Sequence, residues 1–580
     1  MWRVHVWTVL FLFSHAPHRH AATVAVPELG HLSSIVHSTT FISTMDEATA
    51  KLVHRLVVAR TQAPPSSTGA VADATLVVST DLGARPEISR HIFGLMLEHL
   101  GRSINGGICD EQDGAARTDI ISALRELRTP NLRWPGGCFA DGYHWRDGVG
   151  PREDRPRRVN HHWGKGVEDN SFGSREFLEL CEAVACEPYI VGNVGSGTVQ
   201  EMSDWLEYLT HPGGTTLSDL RKQHGRIEPH AVRLWGVGNE PWGCGGDMDA
   251  RTYAAEFRRF ACFLSAPLGA PALNRVACGA NGRDTAWTEA MMSLCKKVGG
   301  SGRVRFSMEA LSVHVYCSVR REGITGREQG AAAQDAWFKV MQKAFEFGET
   351  LRIHAAIMDR HDPERLVALY VDEWGMWYAE PPDEVAGPVP VLPGAARLEQ
   401  SCTLREALVA TVCLHAMIEC CERVKLANLA QAVNVLHCPL RVAGGKLVRT
   451  PTFHALEMLT PHMQCQRLDS QLLHGSLFNH GAAAVPRLSA VASADAQCTR
   501  IYVSIVHVHP HAPMSIDLEL RGVGASAKLH VEQARVLTGD MMCADECIPR
   551  EAPESVTLAG QSRLRLQLPP RSLLVVTLRV

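Results

Sequence analysis

The feature that most constrains the fold of this chain is an alternation of short apolar segments with longer amphipathic ones, which begins near residue 74. Apolar runs of strand length include 74–79, 131–134, 188–193, 232–237, 310–316 and 366–371, and segments of helical periodicity include 118–127, 174–185, 252–264 and 333–347. Strands that alternate with helices form parallel sheets, and this many units predict an α/β fold closed into a barrel with inserted loops. An open doubly wound sheet is the alternative.

The C-terminal part of the chain has a different pattern. After about residue 455 the helical periodicity fades, and short alternating runs follow at 500–507, 515–521, 534–538, 563–568 and 573–578. Such runs predict an antiparallel β-sandwich. Because 580 residues are too many for one compact core, we expect a barrel over 73–455 and a C-terminal sandwich over 456–580.

The N-terminal residues 1–72 are expected to be a leader. Residues 4–13 form an apolar run after Arg3, which is the outline of a short signal peptide and is too short to span a bilayer. The rest of the segment has little periodicity, and initiation at Met45 would be compatible with the same sequence. We therefore expect no integral membrane span, and both a secreted and a cytoplasmic location remain open.

Composition excludes several classes of partner. The chain is 45% hydrophobic and 21% charged with a net charge of −4, so it has no basic field for nucleic acid.

Its 18 cysteines show no paired CxxC modules, and most are expected to be buried free thiols. Its 28 histidines show no metal-ligand spacing, so no metal site is predicted. His161 and His162, and the group His507, His509 and His511, are expected to be exposed.

The first segment that carries chemistry is 231–242, with the sequence AVRLWGVGNEPW. Its apolar strand ends at Gly238-Asn239-Glu240-Pro241, and Pro241 stops the strand. A carboxylate just past the C-terminal end of a barrel strand lies where such barrels build active sites. Taken alone, an Asn-Glu pair in this position is more often an ordinary polar loop.

The second segment, 364–377, has the sequence ERLVALYVDEWGMW. It predicts a strand over 366–371, then Asp372-Glu373 and an aromatic-rich turn. Two carboxylates at the ends of two barrel strands are what glycoside cleavage needs, one to protonate the leaving oxygen and one to attack the anomeric carbon. Trp374, Trp377 and Tyr378 add flat apolar faces suited to sugar rings. Together the two segments predict a glycoside hydrolase.

Several motifs resemble one known family. Residues 235–240, WGVGNE, and 372–375, DEWG, are similar to the acid/base and nucleophile motifs of family 51 glycoside hydrolases, the α-L-arabinofuranosidases. Further similar segments are 94–102, 132–151, 163–164, 168–170, 192–198, 314–316 and 426–434. The resemblance runs in order from about residue 80 to residue 465 and fades in the C-terminal sandwich.

The resemblance implies a (β/α)8 TIM barrel followed by an antiparallel β-sandwich, in which segment 73–90 pairs with the C-terminal strands. It also implies hydrolysis of terminal non-reducing α-L-arabinofuranosyl residues in arabinan, arabinoxylan or arabino-oligosaccharides. The mechanism would be retaining, with Glu240 as acid/base, Glu373 as nucleophile, carboxyl groups about 5 to 5.5 Å apart and no cofactor. An arabinose-containing oligo- or polysaccharide is thus the expected partner, and a homo-oligomer is left open.

The resemblance further implies which residues hold the sugar. Those that hold the arabinofuranosyl ring are Glu98, Cys138, Asn239, Tyr316 and Gln431, with Trp163 and Trp377 lining the site and His314 near the carboxylates. Asn239 is placed to bind the sugar 2-hydroxyl, and Tyr316 to donate to the nucleophile. Departures from the family pattern at Asn105, Arg175, Val315 and 401–402 remove no catalytic group, but they leave the finer substrate preference open.

Other readings of the sequence remain to be separated. A different retaining barrel glycosidase, such as an endoglucanase or a β-xylosidase, would carry the same two carboxylates. A non-catalytic carbohydrate-binding protein would have no reason to keep both of them with Asn239. The glycine-rich segment 192–197 follows a strand, but it lacks the Lys-Ser/Thr ending of a phosphate-binding loop.

Overall fold

The computed structural model describes residues 72–80, 83, 85–110, 114–164, 166–295, 308–380, 398–523, 529–542, 544 and 547–580. Apart from Ala72, the leader expected over 1–72 lies outside these residues. Within the described part of the chain, no helix combines the length and the apolar character that a bilayer crossing requires.

Eight parallel strands form a closed barrel, which confirms the fold class predicted from the alternation. They are β2 (Gly94–Met96), β3 (Asn131–Trp134), β6 (Glu187–Gly192), β7 (Leu234–Val237), β8 (Asn274–Asn281), β9 (Ala310–Ser318), β10 (Ala368–Trp377) and β11 (Val424–Leu429). Neighbours in the barrel are neighbours in the chain, and β11 closes the ring between β10 and β2. The carboxyl ends of all eight strands therefore meet at one mouth.

Nine α-helices are described, most of them packed around the barrel. They are α1 (Thr118–Glu126), α2 (Ser174–Val184), α3 (Val199–Thr210), α4 (Thr216–Gln223), α5 (Ala250–Ala261), α6 (Thr285–Cys295), α7 (Gly330–His361), α8 (Leu404–Glu419) and α9 (Pro451–Leu459). Helix α8 begins at a capping box of Thr403 and Glu406, and its residues from Leu404 to Ile418 are all buried. A helix covered on every side must have partners on opposite faces, and α8 packs against both the barrel and the C-terminal sheet.

The C-terminal region is a ten-stranded sheet that folds into a sandwich. Its strands are β1 (Ala74–Ser79), β14 (Gln466–Leu473), β17 (Leu488–Ala494), β18 (Arg500–His507), β19 (Met514–Arg521), β20 (His530–Thr538), β21 (Arg550–Glu551), β22 (Val556–Leu558), β23 (Arg563–Leu568) and β24 (Ser572–Arg579). The pairs are antiparallel except for β1 with β19, and β1 lies between β14 and β19. One apolar cluster joins Leu76, Ile516 and Leu564 to Val503 and Val576, as two packed faces require.

Three short hairpins complete the described strands: β4 (Arg158–Val159) with β5 (Val167–Glu168), β12 (Leu440–Ala443) with β13 (Lys446–Arg449), and β15 (Leu477–His480) with β16 (Ala483–Pro486). Helix α9 spans the expected domain boundary at 455/456 and packs on α8. The sheet of the sandwich resumes only at Gln466.

Two expectations differ from the structure. The turn expected after residue 371 is strand, because β10 stays paired with β9 as far as Trp377, with a register irregularity between Tyr370 and Glu373. His507 is buried rather than exposed, and its Nδ1 lies 2.9 Å from the carbonyl oxygen of Pro569. It ends β18, a central strand with one face on the sandwich core and the other on the barrel cluster. His161, His162 and His511 are exposed, as expected.

A buried polar chain links the barrel to the sandwich. Nε2 of His415, on α8, and Nε2 of His462 both lie 2.9 Å from the hydroxyl of Ser504, on β18. The remaining ring nitrogens contact Ser489 and Ser493 at 2.9 and 2.7 Å. Burial lowers the pKa of His415 to about 3 and that of His462 to about 4.

These histidines predict an acid-sensitive interface. Both pKa values are lower in the folded state than the ordinary 6.5, so the unfolded chain binds more protons below about pH 6.5 and stability falls as the pH drops. At pH 5 each buried imidazole should lower the free energy of unfolding by about 2 kcal/mol. We expect His415→Gln to be less stable than the wild type at pH 7. Its unfolding temperature should, however, fall less than that of the wild type between pH 7 and pH 5. Replacement of the exposed His530 by Gln is the control, and an unchanged pH slope in His415→Gln would contradict the assignment.

Candidate active site

The two candidate catalytic carboxylates come from strands on different sides of the barrel. Glu240 follows β7 after a sharp turn at Gly238, whose φ of +90° suits glycine; a Cβ there would lie 3.2 Å from Val194. Glu373 lies within β10 and pairs in register with His314 of β9. Because parallel strands alternate their side chains in step, Glu373, His314 and Tyr316 share one face of the sheet.

The two carboxylates are close together. An oxygen of Glu240, one of Glu373 and a ring nitrogen of His314 all lie within 4.8 Å of one another. Nδ1 of His314 lies 2.7 Å from Oε1 of Glu240 and 3.4 Å from Oε2 of Glu373. This spacing fits the short separation of retaining glycosidases and leaves no room for the water that an inverting pair holds between its carboxyl groups.

Glu373 is surrounded by donors. Arg133 donates from Nη1 to Oε1 at 2.8 Å, and Tyr316 donates its hydroxyl to Oε2 at 2.9 Å. Charge-assisted hydrogen bonds of this kind stabilise the carboxylate form that a nucleophile needs.

Glu240 has the opposite environment. Burial and the negative charge of Glu373 raise the pKa of Glu240 above its ordinary value, although His314 partly opposes them. A raised pKa keeps the proton on a carboxyl group that must act as general acid. The two glutamates thus differ in the way that the two steps of glycoside cleavage require.

His314 and Arg133 balance the negative charge of the site. Burial alone would lower the pKa of His314, but the charge of Glu373 and contacts with Asp372 and Glu240 raise it to about 10. Nε2 of His314 lies 3.3 Å from Oδ1 of Asp372, and the hydroxyl of Tyr189 donates to Oδ2 of Asp372 at 2.8 Å. With Glu240 protonated, two cations face the two anions Asp372 and Glu373.

A second group of predicted residues gathers around Glu98. Trp163 donates its indole N–H to Oε1 of Glu98 at 2.7 Å, and Gln431 donates to Oε2 at 3.0 Å. Burial and the charge of Glu373 raise the pKa of Glu98 to about 7. Trp377 packs edge-on against Tyr316 with ring centroids 4.9 Å apart. All of these groups lie at the barrel mouth beside the two carboxylates.

The guanidinium of Arg133 holds both Asn239 and Glu373. Nη2 of Arg133 donates to Oδ1 of Asn239 at 2.7 Å while Nη1 bonds to Glu373. Sequence reasoning missed this role of Arg133, although an arginine inside the apolar strand 131–134 was an available signal. It also missed Asp372, which lies 3.7 Å from Nε of Arg133, and Tyr189.

Cys138 is joined to Cys244 by a disulfide bond. Sγ of each lies 3.7 Å from Oε2 of Glu240. The bond connects the loop after β3 to the loop after β7, so it fixes the wall beside the acid/base candidate. Most of the other cysteines that the structure describes are buried free thiols, as expected.

Breaking this bond should lower both stability and activity. It closes a loop of 106 residues, for which the entropic contribution is about 4 to 5 kcal/mol. We expect Cys244→Ser to lower the denaturant midpoint, and to reduce kcat/KM by about tenfold because small displacements of a catalytic group are costly. Cys262→Ser, at an exposed free cysteine, is the matched control. If all 18 cysteines of the denatured but unreduced wild type react with a thiol reagent, the bond does not form.

The cluster of Glu240, His314 and Glu373 also has a spacing that could hold a cation. Arg133 and Tyr316 already direct their donors at Glu373, and such donors compete with a metal ion for the carboxylate. The thiols of Cys138 and Cys244 are consumed by their bond and are no longer thiolate ligands.

Two family models and a relative that match this chain share the description alpha-L-arabinofuranosidase. Residues 123–320 match the family description "Alpha-L-arabinofuranosidase 1 domain", and residues 372–572 match "Alpha-L-arabinofuranosidase C-terminal domain". A Bacteroides ovatus protein, described as an intracellular exo-alpha-L-arabinofuranosidase, is 36% identical over 88% of this chain and 97% of its own length.

Solved structures are similar over the same region. The GH51 arabinofuranosidase of Xanthomonas axonopodis pv. citri has a TM-score of 0.77 and 32% identity, and the match covers 87% of this chain and all of that one. The Thermotoga maritima alpha-L-arabinofuranosidase, solved as an arabinose complex, has a TM-score of 0.72 and 26% identity, with coverage of 87% and 100%.

Proposed function

We propose that this chain, which belongs to the α-L-arabinofuranosidases of glycoside hydrolase family 51, cleaves its substrate by double displacement between Glu240 and Glu373. The chain is a glycoside hydrolase, and it hydrolyses α-L-arabinofuranosyl residues. The observation that best supports the proposed roles is the pair of contrasting environments, in which Glu373 accepts from Arg133 and Tyr316 while Glu240 has a raised pKa.

In the first step Glu373 attacks the anomeric carbon while Glu240 gives its proton to the leaving oxygen. The C–O bond of the glycoside breaks, a glycosyl ester with Glu373 forms, and Glu240 becomes a carboxylate. In the second step Glu240 takes a proton from water, whose oxygen attacks the same carbon and releases Glu373. Two inversions give retained configuration.

The sugar-binding roles are part of the same proposal. Glu98 and Gln431 are hydrogen-bonded to each other at 3.0 Å, and they would bind ring hydroxyls together with Asn239 and Tyr316. The indoles of Trp163 and Trp377 would line the ring, and Cys138 would contribute the surface of its disulfide. His314 would hold Glu240 in position through the 2.7 Å contact.

We further propose that the substrate residue is terminal and non-reducing, in arabinan, arabinoxylan or arabino-oligosaccharides. In this arrangement the chain works as a catalytic barrel over 73–455 with a C-terminal sandwich over 456–580.

A panel of aryl glycosides tests the proposal. We expect 4-nitrophenyl α-L-arabinofuranoside to be hydrolysed far faster than the β-xyloside or a soluble β-glucan, with the α-anomer of arabinose appearing first in proton NMR. First appearance of the β-anomer would refute the retaining assignment. Faster cleavage of the xyloside or the glucan would favour a different retaining barrel glycosidase, a β-xylosidase or an endoglucanase. Binding of arabino-oligosaccharides without release of arabinose would favour a non-catalytic protein.

A further inference from the structure

Asp141 is a buried carboxyl group at the barrel mouth that has no part in the roles proposed above. It lies after β3 in the short 3-10 helix Cys138–Gly142, and it is 3% exposed. Its main-chain oxygen accepts from the amide of Ser196 at 3.1 Å and from the hydroxyl of Ser196 at 3.0 Å. The loop after β6 therefore fixes the main chain at Asp141.

The side chain of Asp141 contacts the loop that carries the acid/base candidate. Oδ2 of Asp141 accepts from the main-chain N–H of Glu240 at 3.4 Å and lies 3.9 Å from Sγ of Cys244. A Cβ atom at Gly245 would lie 2.8 Å from the same oxygen, so glycine permits this close approach. The loop after β7 thus encloses the carboxyl group.

The burial of this carboxyl group lowers stability. Oδ1 of Asp141 makes no hydrogen bond to any residue in the described part of the chain. Burial and the charge of Glu240 raise the pKa of Asp141 from 3.8 to about 7, although contacts with Asn239 and with the amide of Glu240 partly oppose them. The unfolded chain therefore loses this proton first, and stability falls as the pH rises between about 4 and 7. A buried group that destabilises the fold in this way is a candidate for a functional role.

The contact of Asp141 with Glu240 can be separated from the sugar-binding candidate Asn239. Arg133 donates to Oδ1 of Asn239 at 2.7 Å, and that bond does not involve Asp141. Among the residues that the structure describes, the main-chain N–H of Glu240 donates only to Asp141. Loss of the carboxyl group should therefore release the main chain at Glu240 while Asn239 keeps its bond to Arg133.

We propose that Asp141 is a positioning residue for the acid/base, and that its carboxyl oxygen holds the main chain at Glu240 where the Glu240 carboxyl meets the leaving oxygen. The proposal rests on the proposed function, because it takes the role of Glu240 from there. Asp141 itself transfers no proton and forms no bond with the substrate.

The test compares two leaving groups in Asp141→Ala. We expect kcat/KM for an arabino-oligosaccharide to fall by about 10- to 100-fold, since a small displacement of a general acid is costly. On 2,4-dinitrophenyl α-L-arabinofuranoside, whose leaving group needs no proton, the loss in kcat/KM should be at most about threefold. The unfolding temperature at pH 7 should stay within about 3 °C of the wild type, because a destabilising carboxyl group is removed.

Two further variants complete the test. Asp141→Asn keeps an oxygen acceptor for the amide of Glu240 and should recover most of the oligosaccharide activity. Asp154→Ala, at an exposed carboxylate that also lies between β3 and β4, is the matched control and should leave both activities unchanged.

Equal losses of Asp141→Ala on both substrates, or no loss on the oligosaccharide, would overturn the positioning role. A large drop in its unfolding temperature would show a structural role and overturn it as well. An Asp141→Asn enzyme that folds but is as impaired as Asp141→Ala would show that the oxygen acceptor is not what acts. If the wild type fails to cleave the aryl arabinofuranoside at all, the proposed function fails instead, so the two failures are distinguishable.

Discussion

Replacing Glu373 by alanine is expected to lower kcat by at least about 10⁴-fold on every arabinofuranoside, because without the nucleophile no glycosyl-enzyme can form. The loss should not depend on the leaving group, since both steps require this carboxylate. Added azide fits the space left by the side chain and should give the glycosyl azide of inverted, β configuration. The measurements are steady-state rates on two aryl glycosides and NMR of the azide product.

Glu373→Ala also leaves Arg133 without one of its anionic partners, and an unpaired buried charge is destabilising. Glu373→Gln is therefore the matched variant, because its amide keeps the volume of the side chain and an acceptor for Tyr316. Both variants should be inactive, while the thermal unfolding of Glu373→Gln stays closer to that of the wild type. Residual turnover above about 1% in a folded Glu373→Gln enzyme would show that the nucleophile is another residue.

The barrel was predictable because each strand and each helix carries its own local pattern. The run 131–134 becomes β3, and 500–507 becomes β18, with the expected bounds. The end of β10 was not predictable in this way. Glycine and bulky aromatic residues follow Val371, which resembles a turn, yet pairing with β9 holds the chain extended to Trp377. That pairing is a tertiary effect, and it overrides the local preference.

The charge balance of the site could not be predicted from the local sequence either. A buried arginine is tolerated only when its partners are present, and the partners of Arg133 lie at Asn239, Asp372 and Glu373, far away in the chain. They meet only when the barrel closes. The bond between Cys138 and Cys244 has the same origin, because the two cysteines are 106 positions apart in the chain and no spacing rule connects them.

Replacing Glu240 by alanine should have an effect that depends on the leaving group. On arabino-oligosaccharides, whose alkoxide leaving groups need a proton, kcat/KM should fall by about 10²- to 10⁴-fold. On 2,4-dinitrophenyl α-L-arabinofuranoside the first step needs no acid, so a rapid burst of dinitrophenol should precede slow turnover. The pH–rate profile of the wild type on oligosaccharides should fall on its alkaline side as Glu240, whose pKa is raised, loses its proton. The burst rate of Glu240→Ala should not show this fall.

The glycosyl-enzyme that accumulates in Glu240→Ala supplies the sharpest distinction between the two glutamates. A small anion needs no general base, so azide should speed turnover and give the azide of retained, α configuration, opposite to the product expected from Glu373→Ala. Glu240→Gln is the matched control, because its amide fills the space and should respond less to azide. If azide instead gave the retained product with the Glu373 variant and left the Glu240 variant unaffected, the roles of the two residues would have to be exchanged.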